Sequence, residues 1–243
     1  MKTQRMKLLS LLFFSVLFCY STLVFSANKL PTSTRSTEVA KRVSPKIQKK
    51  LKEKGFTLGA PVLMRIFKET SELEVWLQAG NEYALFKSYK ICYFSGNLGP
   101  KTKVGDLQSP EGFYTVTPKQ FNPSSRFHLA FNLGYPNAYD RAYQRTGDAL
   151  MVHGNCVSIG CYAMTDNQIE EIYTIAAAAL EAGQPAFQVQ ALPFRLSDEN
   201  LAAHKNSPWL SFWQNLKVGY DYFEQHKKPP KISVKNKQYV FEK

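Results

Sequence analysis

Along this chain the spacing of apolar and polar residues changes character several times, and each change marks an element. Leu8 to Phe25 is an apolar run without a charge, preceded by Lys2, Arg5 and Lys7 and followed by Ser26 and Ala27. A basic start, an apolar stretch and small or β-branched residues at Val24 and Ser26 predict a secretory signal peptide over 1–26. It is either cleaved before Ala27 or kept as an N-terminal anchor. Residues 27–60 turn polar and basic. Within them KRVSPKIQKKLKEKG reads as a short helix ended by Gly55, in what the pattern presents as an N-terminal linker.

From Pro61 the period becomes two. Val62–Phe67 and Glu72–Leu77 read as strands joined by a turn at 68–71, and Tyr83–Phe94 as a longer β-type run. A loop rich in Gly, Pro, Asn and Ser follows, before Phe113–Val116 resumes strand character. Residues 117–147 hold no strong period, and a segment of that length in a folded protein usually carries function. Ala149–Val152 reads as a short buried strand that runs directly into His153-Gly154. Asp166 caps a predicted helix with Ile169, Ile172, Tyr173, Ala176, Ala179 and Leu180 on one side, ended by Gly183. Phe187–Leu196 is a strand candidate, Ser207-Pro208 opens a second helix reaching about His226, and Lys231–Phe241 is a final strand candidate. Strands early and helices late predict an α+β fold with a largely antiparallel, β-rich core. The chain then divides into a signal segment (1–26), a linker (27–60), a catalytic body (61–196) and a C-terminal helical and strand extension packed on it (197–243).

Composition narrows this picture. Of 243 residues, 44% are hydrophobic and 21% charged, which excludes wholesale disorder and leaves enough chain for a sizeable core. The net charge of +12 falls to +9 without Lys2, Arg5 and Lys7. An exported protein of that charge favours anionic surroundings such as cell-wall polymer or membrane surfaces, and export removes nucleic acid as a partner. Outside the signal segment stand Cys92, Cys156 and Cys161, an odd number in an oxidising compartment, so pairing leaves one thiol over.

Chemistry concentrates in MVHGNCVSIGCYAM, residues 151–164. A histidine at a strand end and a cysteine just before a helix can meet across a loop, as nucleophilic catalysis by a thiol requires. His153 would take the proton and Cys161 attack a carbonyl, with the backbone amides of Gly160 and Cys161 facing the developing oxyanion. Gly154 and Gly160 permit close backbone approach or positive φ. Two other readings stay open. His153, Cys156 and Cys161 offer three metal-type ligands, although no fourth stands nearby. Cys156 pairs either with Cys92, leaving Cys161 free, or with Cys161, which would disable the nucleophile. Arg126, Arg141 and Arg145, in the aperiodic segment, are candidates for a substrate carboxylate, and His128 in the same segment is an outside candidate.

The stretch HGNCVSIGC closely resembles the signature of the L,D-transpeptidase catalytic (YkuD) domain, in which HG precedes S-x-G-C. GPKTKVGDLQSPEGFY, from Gly99 to Tyr114, resembles a second landmark of that family, and the likeness spans about residues 60–195. The form HGNCVSIGCYAMTD, with a later strand and PFR at Pro193–Arg195, looks most like the YafK subgroup. The resemblance implies a β-rich L,D-transpeptidase fold with C-terminal helices. It implies Cys161 as nucleophile, His153 as general base, Gly154 as the carbonyl that orients the imidazole, and Ser158 and Gly160 as support for the motif. It also implies a periplasmic enzyme that needs no cofactor and acts on peptidoglycan stem peptides, through hydrolysis of a diaminopimelate bond to an attached outer-membrane lipoprotein. Cross-link formation is the alternative. Ile159 stands where many members carry histidine, and His153 lies only eight residues before Cys161. Both departures match the subgroup.

Overall fold

The computed structural model describes residues 29–242; the predicted signal peptide lies outside them. Its first element, α1 (Thr34–Glu53), corrects the linker reading of 27–60. Val39, Val43, Ile47 and Leu51 recur every four residues and are all buried in the main core. Burying each is worth roughly 1.5–3 kcal/mol over leaving it in water. The short helix read over residues 41–55 is there, but it starts earlier, at Thr34, and packs into the body instead of lying in a linker. Pro45 lies on the exposed side, and Ser33 and Ser36 close a capping box at the N-terminus.

Strands β1 (Val62–Phe67), β2 (Glu72–Ala79) and β3 (Glu82–Lys90) follow as an antiparallel meander. The run predicted to reach Phe94 breaks after Lys90, and β4 (Tyr93–Phe94) joins a different sheet. β5 (Gly112–Val116) comes next, and the aperiodic segment holds β6 (Phe121–Asn122), β7 (Ala130–Asn132) and the short helix α2 (Ala138–Ala142). The chain continues through β8 (Met151–His153), β9 (Tyr162–Ala163), α3 (Asp166–Glu181) and β10 (Phe187–Leu192). It closes with α4 (Asp198–Ala203), α5 (Leu210–His226) and β11 (Lys231–Lys235) paired to β12 (Gln238–Glu242). The tail read as one strand is therefore a hairpin. Asn236 and Lys237 turn it with φ of 50° and 59°, the left-handed pair a two-residue hairpin turn requires.

The α+β architecture consists of two five-stranded sheets, in the orders β3-β2-β1-β10-β5 and β4-β9-β8-β7-β6. Helix α3 packs against β1 of the first sheet and against β7 and β8 of the second, and α1 covers α3 from outside. Ion pairs fasten these two helices: Arg42 to Glu170 at 2.6 Å and Lys50 to Glu171 at 2.8 Å. A second apolar cluster gathers Phe194, Leu201, Phe212, Trp213, Leu216 and Tyr239, which seats the C-terminal elements on the body. Among the described residues no helix is long and apolar enough to cross a membrane.

Candidate active site

Strands β8 and β9 are parallel neighbours, with Val152 opposite Tyr162 and His153 opposite Ala163. Parallel neighbours ordinarily need a crossover of a dozen or more residues. Here residues 154–161 suffice, because the two strands are only three and two residues long. The turn is tight, and Asn155 and Cys156 take left-handed φ values of 64° and 45°. A disulfide between Cys156 and Cys92, with Cα atoms 5.3 Å apart, ties the loop to the start of β4. The Asn155 N–H donates to Asp166 Oδ1 at 2.8 Å and the Cys156 N–H to Met164 O at 3.2 Å. This pairing leaves Cys161 as the free cysteine among the described residues. It also removes Cys156 from the conceivable metal trio.

Cys161 stands one register step before Tyr162, beside Met151. The Met151 N–H donates to Cys161 Sγ at 3.4 Å, and the thiol points to Ala149 O at 3.6 Å. Two residues further along β8, on the same face by strand alternation, His153 is buried with its Nδ1 2.6 Å from Gly154 O. A carbonyl only accepts, so Nδ1 carries the proton and Nε2 keeps the lone pair that a base needs. The ring of Phe127 covers the imidazole at 4.6 Å between centroids. Burial pushes the thiol up from its ordinary range, opposed by the Met151 N–H and by the positive charge of Lys101. It pushes the imidazole down, opposed by the bond to Gly154. Both groups therefore rest neutral at pH 7.

Each motif residue has a definite task in holding this geometry. Gly154 is required by packing rather than by φ: a Cβ there would lie 2.5 Å from Asp166 Oδ1 and 3.0 Å from Ile169 Cγ2. Its N–H donates to Phe127 O at 3.0 Å, which joins the imidazole's carbonyl partner to the residue that covers the ring. Ser158 Oγ donates to Cys161 O at 2.7 Å and accepts the Gly160 N–H at 3.0 Å. The Gly160 amide, expected to face an oxyanion, is thus engaged within the loop. The Cys161 N–H has no hydrogen-bond partner among the described residues. Gly160 itself has φ 152°, and a Cβ would press on Leu150 at 3.1 Å.

The loop 95–111, which holds most of the landmark segment 99–114, borders Cys161 and is fixed from beneath by a fully buried ammonium. Lys68 Nζ donates to the carbonyls of Asn97, Gly99 and Ser109 at 2.9, 2.8 and 3.0 Å and meets Glu111 Oε1 at 3.1 Å. Glu111 also accepts the Gly99 N–H at 2.7 Å and the Trp213 indole N–H at 2.8 Å, so α5 braces the same loop. Ser109 Oγ then donates to Cys161 O at 3.2 Å. A buried charge is tolerated only when its hydrogen-bonding capacity is filled, as it is here.

Two of the three arginines expected to receive a carboxylate, Arg145 and Arg141, are engaged elsewhere. Arg145 is buried, bonded to Asp140 at 2.8 Å, and packed over the rings of Tyr139, Tyr143 and Phe212. Its guanidinium is committed to holding α2 against α5. Arg141 donates to Pro136 O and lines a different cleft, beside Phe113, Asn137 and Tyr239. His128 Nε2 lies 3.0 Å from Glu170 Oε1, on the α1–α3 side. Three contributors escaped the sequence reading: Lys101, Phe127 and Arg35. Arg35 Nη1 donates to Ser125 O at 2.8 Å and His128 O at 2.6 Å, clamping the turn that carries Phe127. No periodicity marks these residues; only Lys101, inside the landmark loop, had a signal.

The family signature of the L,D-transpeptidase catalytic domain, YkuD, matches residues 66–185. YafK of Escherichia coli K12 is 48% identical over 217 residues, covering 89% of this chain and 84% of that protein, and YafK of strain O157:H7 gives the same values. The chain belongs to the L,D-transpeptidase (YkuD) family, whose enzymes act on peptidoglycan peptides. Among solved structures, the helical cell shape determining protein Pgp2 of Campylobacter jejuni is similar with a TM-score of 0.44 and 17% identity, over 78% of this chain and 80% of that one. Bd1075 of Bdellovibrio bacteriovorus follows at 0.40 and 16%, over 73% and 78%.

Proposed function

We propose that this protein is an exported cysteine acyl-transfer enzyme that hydrolyses the bond between diaminopimelate of a peptidoglycan stem peptide and an attached protein. The observation that carries this reading is the placement of the free thiol of Cys161, one residue before β9, and of an imidazole whose Nδ1–H is held by Gly154 O, at the end of the adjacent parallel strand β8. His153 Nε2 takes the thiol proton as Cys161 Sγ attacks the diaminopimelate carbonyl. The oxygen of the tetrahedral intermediate faces the unengaged Cys161 N–H, a type of contact worth roughly 3–4 kcal/mol in acyl transfer. The imidazolium then returns the proton to the departing amine and leaves a thioester. Water, deprotonated by His153, releases the carboxylate and restores the thiol. The Cys92–Cys156 disulfide and the apolar N-terminal run support an oxidising, periplasmic location.

The test uses purified residues 27–243 and sacculi carrying covalently attached lipoprotein, with mass spectrometry of released and retained material. Released protein, free diaminopimelate carboxylates on the wall and loss of both with Cys161→Ala are the expected results. New diaminopimelate–diaminopimelate or protein–wall bonds would instead assign cross-linking, which the family's name favours. A sacculus unchanged by the wild-type protein, with Cys161 inert to a thiol probe, would end the catalytic reading.

A further inference from the structure

Helices α1 and α3 pack together, but along part of their contact both carry small residues where packed helices usually interdigitate larger ones. On α1 these are Thr37, Ala40 and Ser44, and on α3 they are Thr174, Ala177 and Ala178. Spacings of three and four place each set on one flank of its helix. The space left over is a cleft of about 690 Å³, bordered also by Leu30 and Thr32 ahead of α1. That volume lies within the range of small-molecule sites.

Two side chains of its lining are polar and unsatisfied. Tyr173 and Thr174 are each only 5% exposed, yet neither hydroxyl has a hydrogen-bond partner among the described residues. A buried hydroxyl without a partner is unfavourable and uncommon, so the pair points to a group that binds here. The rest of the lining narrows its chemistry. It holds one carboxylate, Glu181, and no lysine, arginine or histidine, so a phosphate or carboxylate finds no counter-charge. A single carboxylate is also too few for a metal ion. An acyl chain would leave both hydroxyls unpaired. The lining therefore suits a neutral ligand, with hydroxyl or amide groups for Tyr173 and Thr174 and methyl or ring carbons for Ala40 and Ala177.

We infer that the cleft between α1 and α3 binds an N-acetylated sugar of the peptidoglycan glycan strand. Such a sugar combines hydroxyls, an amide and an apolar acetamido methyl in one neutral ring. Enzymes of this family act on peptidoglycan peptides, and those peptides hang from chains of N-acetylated amino sugars, so this ligand arrives tethered to the substrate. A second contact on the same polymer raises the effective concentration of stem peptides at Cys161. The inference holds whether Cys161 cuts a bond or forms one.

The test uses the exported protein, residues 27–243, and chitotetraose, the neutral tetramer of N-acetylglucosamine, in isothermal titration calorimetry. The wild type is expected to bind with a Kd of about 1 mM or tighter. Ala177→Leu, which fills the cleft, should weaken binding by about tenfold or more. Thr174→Val, which removes one hydroxyl and keeps the shape, should weaken it about fivefold. Ala40→Leu fills the cleft from the exposed side of α1 and replaces Ala177→Leu if that variant melts earlier than the wild type. Cellotetraose, which lacks the acetamido groups, should bind about tenfold more weakly or worse. No binding of chitotetraose, or equal binding in all variants, overturns the inference and leaves the two hydroxyls to ordered water only. Equal binding of the two sugars overturns the assignment to an N-acetylated ring. Binding of a sugar-free stem tripeptide that Ala177→Leu abolishes overturns it in favour of a peptide site.

Discussion

The ring of Phe127 lies 4.6 Å from that of His153, tilted by 30°, while the Phe127 carbonyl accepts the N–H of Gly154. One residue thus limits the imidazole from its face and also fixes the residue whose carbonyl holds Nδ1. Phe127→Ala should lower kcat by roughly 10- to 100-fold with little change in KM, since a small misplacement of a catalytic group is costly. Phe127→Leu should fall between. Steady-state kinetics on a soluble stem-peptide substrate would check this, and equal kcat in all three proteins would refute it.

Arg35 extends that control to α1. Its guanidinium bridges the carbonyls of Ser125 and His128, on either side of Phe127. The side chain is exposed, so Arg35→Ala should cost within about 1 kcal/mol of stability. The same change should reduce kcat by roughly tenfold through the imidazole's freedom. A thermal melt and kcat measured on one preparation separate the two effects. A lowered melting temperature with normal kcat would make Arg35 a structural contact only.

The pH dependence follows from two opposed shifts. Reaction requires a neutral imidazole and a pair that retains one transferable proton. Burial holds His153 below 6.5 and Cys161 above 9.0. The kcat/KM profile should therefore be a broad bell, with its acid limb below 6.5 and its alkaline limb above 9.0. Stability bears the same sign on the acid side. The unfolded chain protonates His153 more readily than the folded one, so stability falls as pH drops through 6.5 towards the lower folded value. A profile whose acid limb stands above 6.5 would contradict the burial of the ring.

The Cys92–Cys156 bridge spans 64 residues of chain, and on the chain-entropy view a loop of that size contributes about 4 kcal/mol. Cys92→Ser/Cys156→Ser should lose a comparable amount in urea unfolding. Its 154–161 loop, held by fewer ties, should let Cys161 react faster with iodoacetamide. An unchanged urea midpoint and alkylation rate would show that the remaining hydrogen bonds suffice.

Much of the site was legible because its chemistry is local. His153, Ser158, Gly160 and Cys161 lie within nine residues, so spacing alone suggested that histidine and thiol meet. Gly154 was legible as a glycine, but its reason, the crowding by Asp166 and Ile169, is a tertiary fact. Arg145 misled because a guanidinium in an aperiodic segment resembles a ligand for anions, while its real partner, Asp140, stands five residues earlier, on the short helix α2. Phe127 and Arg35 act through contacts that no periodicity encodes. In the fold, β1 and α3 announced themselves through clean period and caps. The hairpin turn at Asn236-Lys237 lacked the glycine that usually signals one.

Helix α1 has a consequence for what counts as the unit of this protein. The family signature begins at residue 66, yet Leu30, Val39, Val43, Ile47 and Leu51 already belong to the same core as the strands beyond it. Arg35, on the same helix, reaches the turn beside His153 only where α1 is seated on α3. A fragment cut to the family signature would lose that clamp together with part of its core.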